Sequence, residues 1–128
     1  MLTDFPIHAT AAASDLDRAR RWYQDRLGLV PDREDPGGVW YRFAGDTWLY
    51  LYGTSAAGTA KNTIAGWTVR GIETVMDGLR ARGVAFDDYD FGAFKTVDGL
   101  ADFGVAKAAW FKDSEGNTFE LSEVTGPA

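Results

Sequence analysis

The sequence predicts an α+β domain built from two copies of a β-α-β-β-β module. Three observations support this fold class: two segments have helical apolar spacing and end at a glycine, a short apolar run precedes each of them, and short strand-like segments separated by turn residues follow each of them. With 128 residues, the chain is long enough to bury one substantial core. We expect a single domain, with a first module over about residues 5–53, a linker over about 54–62 and a second module over about 63–124.

The first module begins with an apolar run at residues 5–13, which we predict to be a strand. Ser14 and Asp15 follow, and the side chain of either can accept a hydrogen bond from the first amides of a helix. Apolar residues then recur at helical spacing over residues 16–27, and Gly28 is suited to the left-handed conformation that ends a helix. The strand candidates after this helix lie at residues 29–33, 39–43 and 47–52.

The second module repeats this order. A strand is predicted at residues 63–70, and the following helix ends at Gly83. The apolar stripe of that helix consists of Ile72, Val75, Met76 and Leu79. The predicted strands after it lie at residues 84–89, 105–112 and 117–123. Because Leu16 then aligns with Ile72 and Gly28 with Gly83, the chain contains an internal repeat.

Residues 90–104 have no counterpart in the first module. This segment carries Phe91, Phe94 and Phe103 among glycines, a composition that suits an ordered loop more than a disordered linker. It is predicted either to cover the mouth of a cavity as a lid or to pack as an ordinary surface loop, and the sequence leaves both interpretations open.

Composition excludes several classes of function. The chain has no cysteine, which excludes disulfides, thiolate metal sites and thiol catalysis. Its formal net charge of -6 disfavours nucleic acid as a partner. No apolar stretch approaches the roughly 20 residues of a membrane helix, and the N-terminus lacks a signal pattern. We therefore expect a cytoplasmic protein with neither a nucleic acid nor a membrane partner.

Two motifs carry a resemblance to a known family. They are Ser14-Asp15-Leu16 leading through Arg21-Trp22-Tyr23 to Leu27-Gly28-Leu29, and Trp110-Phe111-Lys112-Asp113-Ser114-Glu115-Gly116-Asn117-Thr118-Phe119-Glu120-Leu121. Together with the repeat they resemble the vicinal oxygen chelate superfamily, which includes glyoxalases, extradiol dioxygenases and bleomycin-resistance proteins. The resemblance spans about residues 7–124. It implies curved mixed sheets that enclose a cavity with the helices outside, and it implies a homodimer.

Metal-dependent members of this superfamily hold one divalent ion between the modules. The resemblance places the ligand positions at His8, Leu49, Ile64 and Glu120. Only His8 and Glu120 can donate to a metal, whereas a stable transition-metal site needs three or four protein donors. We therefore expect no cofactor, and a weakly held divalent metal is the alternative.

The cavity-facing residues follow from strand alternation in the family fold. On the first strand, Ile7, Ala9, Ala11 and Ala13 are expected to face the helix, and His8, Thr10 and Ala12 the cavity. The full set of predicted ligand-binding residues is His8, Thr10, Trp40, Leu49, Leu51, Ile64, Gly66, Trp110 and Glu120. Core or dimer-interface packing remains the alternative for both Trp residues.

His8 is the only histidine of the chain. We expect it to approach Glu120 across the cavity floor, because a carboxylate buried without a partner is costly. The alternative is a polar residue at the start of a strand that binds only backbone or water.

The leading functional interpretation is a protein of the bleomycin-resistance type, which sequesters a hydrophobic or aromatic compound without converting it and so serves in antibiotic resistance. One alternative is a metal-dependent glyoxalase-type lyase or isomerase, or an extradiol-type dioxygenase, that uses His8 and Glu120 as catalytic residues. A further alternative is a domain whose sheets mainly serve association with a partner.

Overall fold

A computed structural model describes residues 1–126, and these residues form two helices and two four-stranded sheets. The elements of the first half are β1 (Ala9–Ala13), α1 (Leu16–Leu27), β2 (Arg33–Asp35), β3 (Gly38–Phe43) and β4 (Thr47–Gly53). Those of the second half are β5 (Thr63–Thr68), α2 (Ile72–Ala81), β6 (Leu100–Asp102), β7 (Ala106–Lys112) and β8 (Thr118–Val124). Short 3-10 turns lie at Leu2–Asp4 and Ala44–Asp46.

The two sheets have the same topology. The strand order is β1-β4-β3-β2 in the first and β5-β8-β7-β6 in the second. In each sheet the first strand pairs in parallel with the last, and the remaining pairs are antiparallel. Both sheets are therefore mixed, and the predicted fold class of two β-α-β-β-β modules is confirmed.

Helix α1 begins and ends where the sequence predicts. The Asp15 side chain accepts a hydrogen bond of 3.0 Å from the amide of Arg18, and Gly28 adopts the left-handed conformation with φ of 69° after the last turn. Its buried residues, Ala19 and Tyr23, lie one helical turn apart and pack on β1 and β4.

The core lies between the sheets and the helices and is shared by both modules. Ala11 and Ala13 of β1 are buried as predicted, and these small residues leave room for the ring of Tyr23. The Tyr23 ring also contacts Phe119 of the second module at 6.2 Å between centroids. Ile7 was expected on the same inner face, but it is 93% exposed because it precedes β1.

A network of polar contacts joins the modules within one chain. The buried carboxylate of Glu115, in the turn between β7 and β8, accepts hydrogen bonds from the Ser14 hydroxyl, the Asp15 amide and the Arg18 guanidinium. In the same turn, the Asn117 amide group donates to the carbonyl of Ala12 at 2.8 Å. The two family motifs therefore meet in space, and together they fix module one against module two.

Two predicted strands are displaced. The segment at residues 29–33 contributes only Arg33 to a strand, because β2 runs over Arg33–Asp35 opposite Gly38–Trp40. The segment at 84–89 forms only an isolated bridge from Phe86 to Phe111, and the edge strand is instead β6. The physical reason is that two short segments share the edge of β7: Phe86 lies beside its end, and β6 pairs with its middle.

The segment at residues 90–104 contains β6 and so joins the edge of the second sheet. The carboxylate of Asp88 accepts hydrogen bonds from the Thr96 hydroxyl and the Gly99 amide, which holds the segment at its base. Ala101 within it and Ala108 beneath it are both buried. These contacts hold the base of the segment, whereas Phe91 near its start is exposed.

No helix among residues 1–126 has the length and apolar character needed to cross a membrane.

Candidate functional site

Each sheet has one face that packs under the helices and one face turned away from them, which we call the open face. On the first sheet, residue pairs in register place Trp40 beside Tyr50 and Arg42 beside Trp48 on the open face. Their neighbours on the same strands, such as Tyr41 and Leu49, are buried in the core. The open face of the first module is therefore rich in aromatic residues, with arginine and aspartate side chains among them.

Four rings form a continuous aromatic platform, defined here as Trp40, Trp48, Tyr50 and Tyr52. Trp40 contacts Tyr50 at 4.5 Å between centroids and Trp48 at 6.2 Å, and Tyr50 stacks parallel to Tyr52 at 5.9 Å. These separations are typical of attractive aromatic pairs. Because all four residues are only half-buried, the platform offers ring surface to a ligand.

Asp35 holds the platform in place. Its carboxylate accepts hydrogen bonds from the Tyr50 hydroxyl at 2.7 Å and from the Trp40 indole at 3.3 Å, and it also accepts from the amides of Gly37 and Gly38 at 2.9 Å. The bond from Tyr50 is the main cause that lowers the pKa of Asp35, and the same bond raises the pKa of Tyr50. A side chain at Gly37 would begin 2.8 Å from the Tyr50 hydroxyl, so glycine leaves room for that hydroxyl to reach Asp35.

His8 lies beside the platform but outside β1, and its side chain is exposed. The imidazole packs against the Trp40 ring in an edge contact at 4.9 Å between centroids. His8 also lines an open groove of about 430 Å³ that runs between the starts of β1 and β5. The walls of this groove include Trp48, Leu49, Ile64 and Gly66.

Glu120 lies in a different hollow, on the open face of the second module. The Trp110 indole donates a hydrogen bond of 3.1 Å to its carboxylate. The hollow measures about 390 Å³ and is also lined by Tyr89, Phe91 and Lys61. Both modules thus present aromatic rings beside a carboxylate, and the first module adds two arginines over its rings.

His8 and Glu120 do not meet as predicted. Across residues 1–126, no hydrogen bond or ion pair joins them, and the imidazole contacts Trp40 while the carboxylate contacts Trp110. The reason is topological. Glu120 pairs with Gly66 of β5, so a whole strand separates the carboxylate from the segment that carries His8.

The predicted roles of Leu49 and Leu51 are wrong in one respect, because both side chains belong to the core. Leu51 is fully buried, and Leu49, at 4% exposed, reaches only the floor of the groove beside His8.

The sequence matched Leu49 of module one to Glu120 of module two, and this match is wrong by one residue. Ala9 pairs with Leu49 where Ala65 pairs with Phe119, so Tyr50 is the structural equivalent of Glu120. The equivalence of Trp40 with Trp110 agrees, since each faces one of these two residues.

The remaining predicted residues lie between the modules. Thr10 lines a smaller hollow of about 250 Å³ with Tyr52 and the linker, and Ile64 borders both this hollow and the groove beside His8. Gly66 is exposed, and a side chain there would begin 2.9 Å from the carbonyl oxygen of Glu120. Gly66 therefore permits the close approach of β5 to β8.

The residues at the four metal-ligand positions of the family do not form a metal centre. In the structure these positions correspond to His8, Tyr50, Ile64 and Glu120, and the Tyr50 hydroxyl already donates a hydrogen bond to Asp35. In the described part of the chain, no group of three or more His, Cys, Asp or Glu side chains comes together as metal ligands could. Two separated donors fall short of a transition-metal site.

The sequence signal for the aromatic platform is the spacing of Trp48, Tyr50 and Tyr52 at every second residue of one strand. The same strand carries leucines on its other face, and periodicity alone does not say which face packs on the helix. In the structure the leucine face packs on the helix, because Ala11 and Ala13 of β1 lie beside Leu51 and Gly53 beneath α1.

Residues 6–121 match the sequence family described as the Glyoxalase/Bleomycin resistance protein/Dioxygenase superfamily. No curated protein sequence matches the chain significantly.

Several solved structures share the fold at low sequence identity. UcmS2 is 18% identical with a TM-score of 0.69, over 90% of this chain and 94% of that one. The fosfomycin resistance protein FosX from Listeria monocytogenes is 16% identical with a TM-score of 0.65, over 94% and 93% of the two chains. A glyoxalase/bleomycin resistance protein/dioxygenase from Alicyclobacillus acidocaldarius is 20% identical with a TM-score of 0.64, over 94% and 92%. At these identities the likeness shows the fold alone.

Proposed function

Because the chain belongs to the Glyoxalase/Bleomycin resistance protein/Dioxygenase superfamily, we propose that it binds a small hydrophobic or aromatic compound and sequesters it without converting it. The members of this fold range from enzymes to binders, so the family by itself does not decide between them. Sequestration of a toxic compound is the form of antibiotic resistance that the proposal implies.

The aromatic platform is the observation that carries this proposal. Four half-buried rings lie on one sheet face, and the hydrogen bonds of Asp35 fix the orientation of two of them. A pre-organised aromatic surface binds a flat ligand with little loss of side-chain entropy. The groove beside His8 and the hollow beside Glu120 add apolar walls with few polar groups, as expected for a small-molecule site.

The donor set supports binding over metal-assisted catalysis. His8 and Glu120 are engaged separately with Trp40 and Trp110, and an aliphatic residue and a hydrogen-bonded tyrosine occupy the other two family positions. The proposal therefore includes no cofactor. A homodimer remains part of the proposal, and the strongly exposed apolar side chains of Leu2, Phe5 and Ile7 support it.

Fluorescence titration tests the proposal. A panel of aromatic compounds is added while tryptophan emission is followed, and at least one is expected to give saturable one-to-one binding. Trp40→Ala is expected to weaken that binding about tenfold, because one aromatic contact contributes about 1 to 1.5 kcal/mol. Trp22→Phe on α1 is the matched control and should leave the affinity unchanged.

Two results would contradict the proposal. One is the absence of saturable binding across the panel. The other is a stoichiometric transition metal retained after purification, whose removal by a chelator abolishes ligand binding. That second result would favour the enzyme.

A further inference from the structure

Arg33 lies at the edge of the aromatic platform, between two indole rings. Its guanidinium carbon is 5.5 Å from the centroid of the Trp40 ring and 5.1 Å from that of Trp48, within the range of cation-π contacts. The residue is exposed, and among residues 1–126 its guanidinium makes no hydrogen bond or ion pair. The indoles thus hold the charged group in place and leave its N–H donors unused.

The other charged groups of this open face have partners. Arg42 lies over Trp48 as well, but it forms an ion pair of 3.0 Å with Asp46. Asp35 shares the face with Arg33, and its carboxylate is occupied by two side-chain and two backbone donors. Arg33 is therefore the arginine on the open face of the first module whose charge and donors remain available to a ligand.

A guanidinium held over an aromatic ring is a strong recognition group for an anion. Its planar fork matches the two oxygens of a carboxylate, and stacking on a ring leaves the N–H edges free to donate. Because Arg is weakly hydrated compared with Lys, the contact costs little desolvation. The rings of Trp40 and Tyr50 lie directly beside this fork, at the next positions in the strand pairing.

We propose that the open face of the first module selects planar aromatic compounds that carry an acidic group, such as a carboxylate. The aromatic part stacks on the platform, and the acid accepts hydrogen bonds from Arg33. This inference rests on the proposed binding function and assigns its ligand class. It is local to the first module, where the carboxylate of Asp35 already accepts four hydrogen bonds and Arg33 supplies a positive charge.

Three ligands of the same shape test the selection: 2-naphthoate, 2-naphthamide and 2-naphthylmethylammonium. Their dissociation constants are measured by calorimetry at pH 7 and low salt, where screening is weak. The indole N–H signals of Trp40 and Trp48 in an NMR spectrum, assigned with single Trp→Phe variants, locate the binding. We expect naphthoate to bind about five- to tenfold more tightly than the amide and to shift both signals.

Arg33→Gln is the test variant, because glutamine keeps a polar side chain of similar reach without the charge. It is expected to abolish the preference for naphthoate and to leave the amide affinity within about twofold. Arg21→Gln is the matched control, since Arg21 is an exposed arginine on α1, on the other side of the sheet. Thermal melting establishes that each variant is folded.

Each contrary outcome has a distinct meaning. Equal affinities of acid and amide in the unaltered protein would overturn the ligand class while leaving the binding function intact, and so would tightest binding of the ammonium compound. An equal loss of acid and amide affinity in Arg33→Gln would show that Arg33 only supports the platform, which also overturns the inference. If none of the three compounds binds, the inference fails, whereas the binding function fails only if the fluorescence panel also shows no saturable binding.

Discussion

Tyr23 and Tyr41 are both buried in the core with ring centroids 5.5 Å apart, but their hydroxyl groups differ. Tyr23 donates a hydrogen bond of 2.7 Å to the Asp113 carboxylate, whereas the Tyr41 hydroxyl has no partner among the described residues. Burial is the main cause that raises both pKa values, that of Tyr41 to about 12. Both phenols therefore remain protonated at neutral pH, and only one of them has its donor satisfied.

Removal of the Tyr23 hydroxyl should lower the stability, whereas removal of the Tyr41 hydroxyl should not. Tyr23→Phe is expected to lower the free energy of unfolding by about 2 kcal/mol, because a buried carboxylate loses a hydrogen bond. Tyr41→Phe should leave it unchanged or raise it by about 1 kcal/mol, since an unpaired buried hydroxyl is removed. Urea unfolding of the two variants measures both values. A large loss in Tyr41→Phe would mean that its hydroxyl has a partner in solution.

At the scale of single elements, helix α2 differs from α1 in how it begins. Its N-cap residue is Gly71, which has no side chain to accept a hydrogen bond. The carboxylate of Glu123, near the end of β8, accepts instead from the amides of Gly71 at 2.6 Å and Ile72 at 3.2 Å. A negative charge at this end also interacts favourably with the helix dipole.

Glu123→Ala should therefore destabilise the start of α2. We expect the free energy of unfolding to fall by about 1 kcal/mol, the usual effect of losing a cap. Hydrogen exchange at the amides of Gly71 and Ile72 should become faster. Glu123→Gln retains an acceptor oxygen without the charge and should give an intermediate loss. Unchanged exchange in Glu123→Ala would show that water caps this helix equally well.

The elements predicted from local signals were the most accurate. Both helices have clear apolar periodicity and a glycine near the end, and the sequence placed the start of α1 at the observed residue. The edge strands β2 and β6 were misplaced, because an edge strand is defined by its pairing partner more than by its own residues. No local pattern at residues 84–89 reveals that β7 accepts a different partner.

The candidate site was predicted in outline but not in detail. The sequence identified Trp40, Trp110, Gly66 and Glu120 on the open faces, and it assigned Leu49 where the structure places Tyr50. A shift of one residue in a strand exchanges its two faces, so a small alignment error replaced the aromatic platform with core leucines. The position of Arg33 beside Trp40 was not predicted, because it depends on the pairing of β2 with β3.

At the scale of the whole molecule, the two modules depend on the contacts of Glu115. Its carboxylate is buried in the second module, and Ser14, Asp15 and Arg18 of the first module supply its donors. Such a buried charge favours the paired modules only while it is ionised and all its donors are present. The ionisation of Glu115 therefore contributes to the stability of the paired modules, beside the hydrogen bond from Asn117 to Ala12 and the shared core.

The titration of Glu115 therefore gives a pH dependence of stability with a defined sign. Burial acts to raise its pKa, but the hydrogen bonds from Arg18, Asp15 and Ser114 outweigh burial and lower the pKa from 4.5 to about 2. A group with a lowered pKa in the folded state stabilises that state above its unfolded pKa. This contribution, on the order of 3 kcal/mol, should be complete near neutral pH and should disappear as the pH falls from about 4.5 to about 2.

Glu115→Gln should remove this dependence. The variant is expected to be less stable than the unaltered protein at pH 7 and to approach it as the pH falls toward 2, because a neutral side chain then occupies the position in both. Urea unfolding at several pH values measures the difference, in which the titration of all other carboxylates cancels. Glu34→Gln is the control, because Glu34 forms an exposed ion pair with Arg20, and exposed pairs contribute little. A stability difference between Glu115→Gln and the unaltered protein that stays constant with pH would mean that Glu115 joins the modules by shape and hydrogen bonding alone, without its charge.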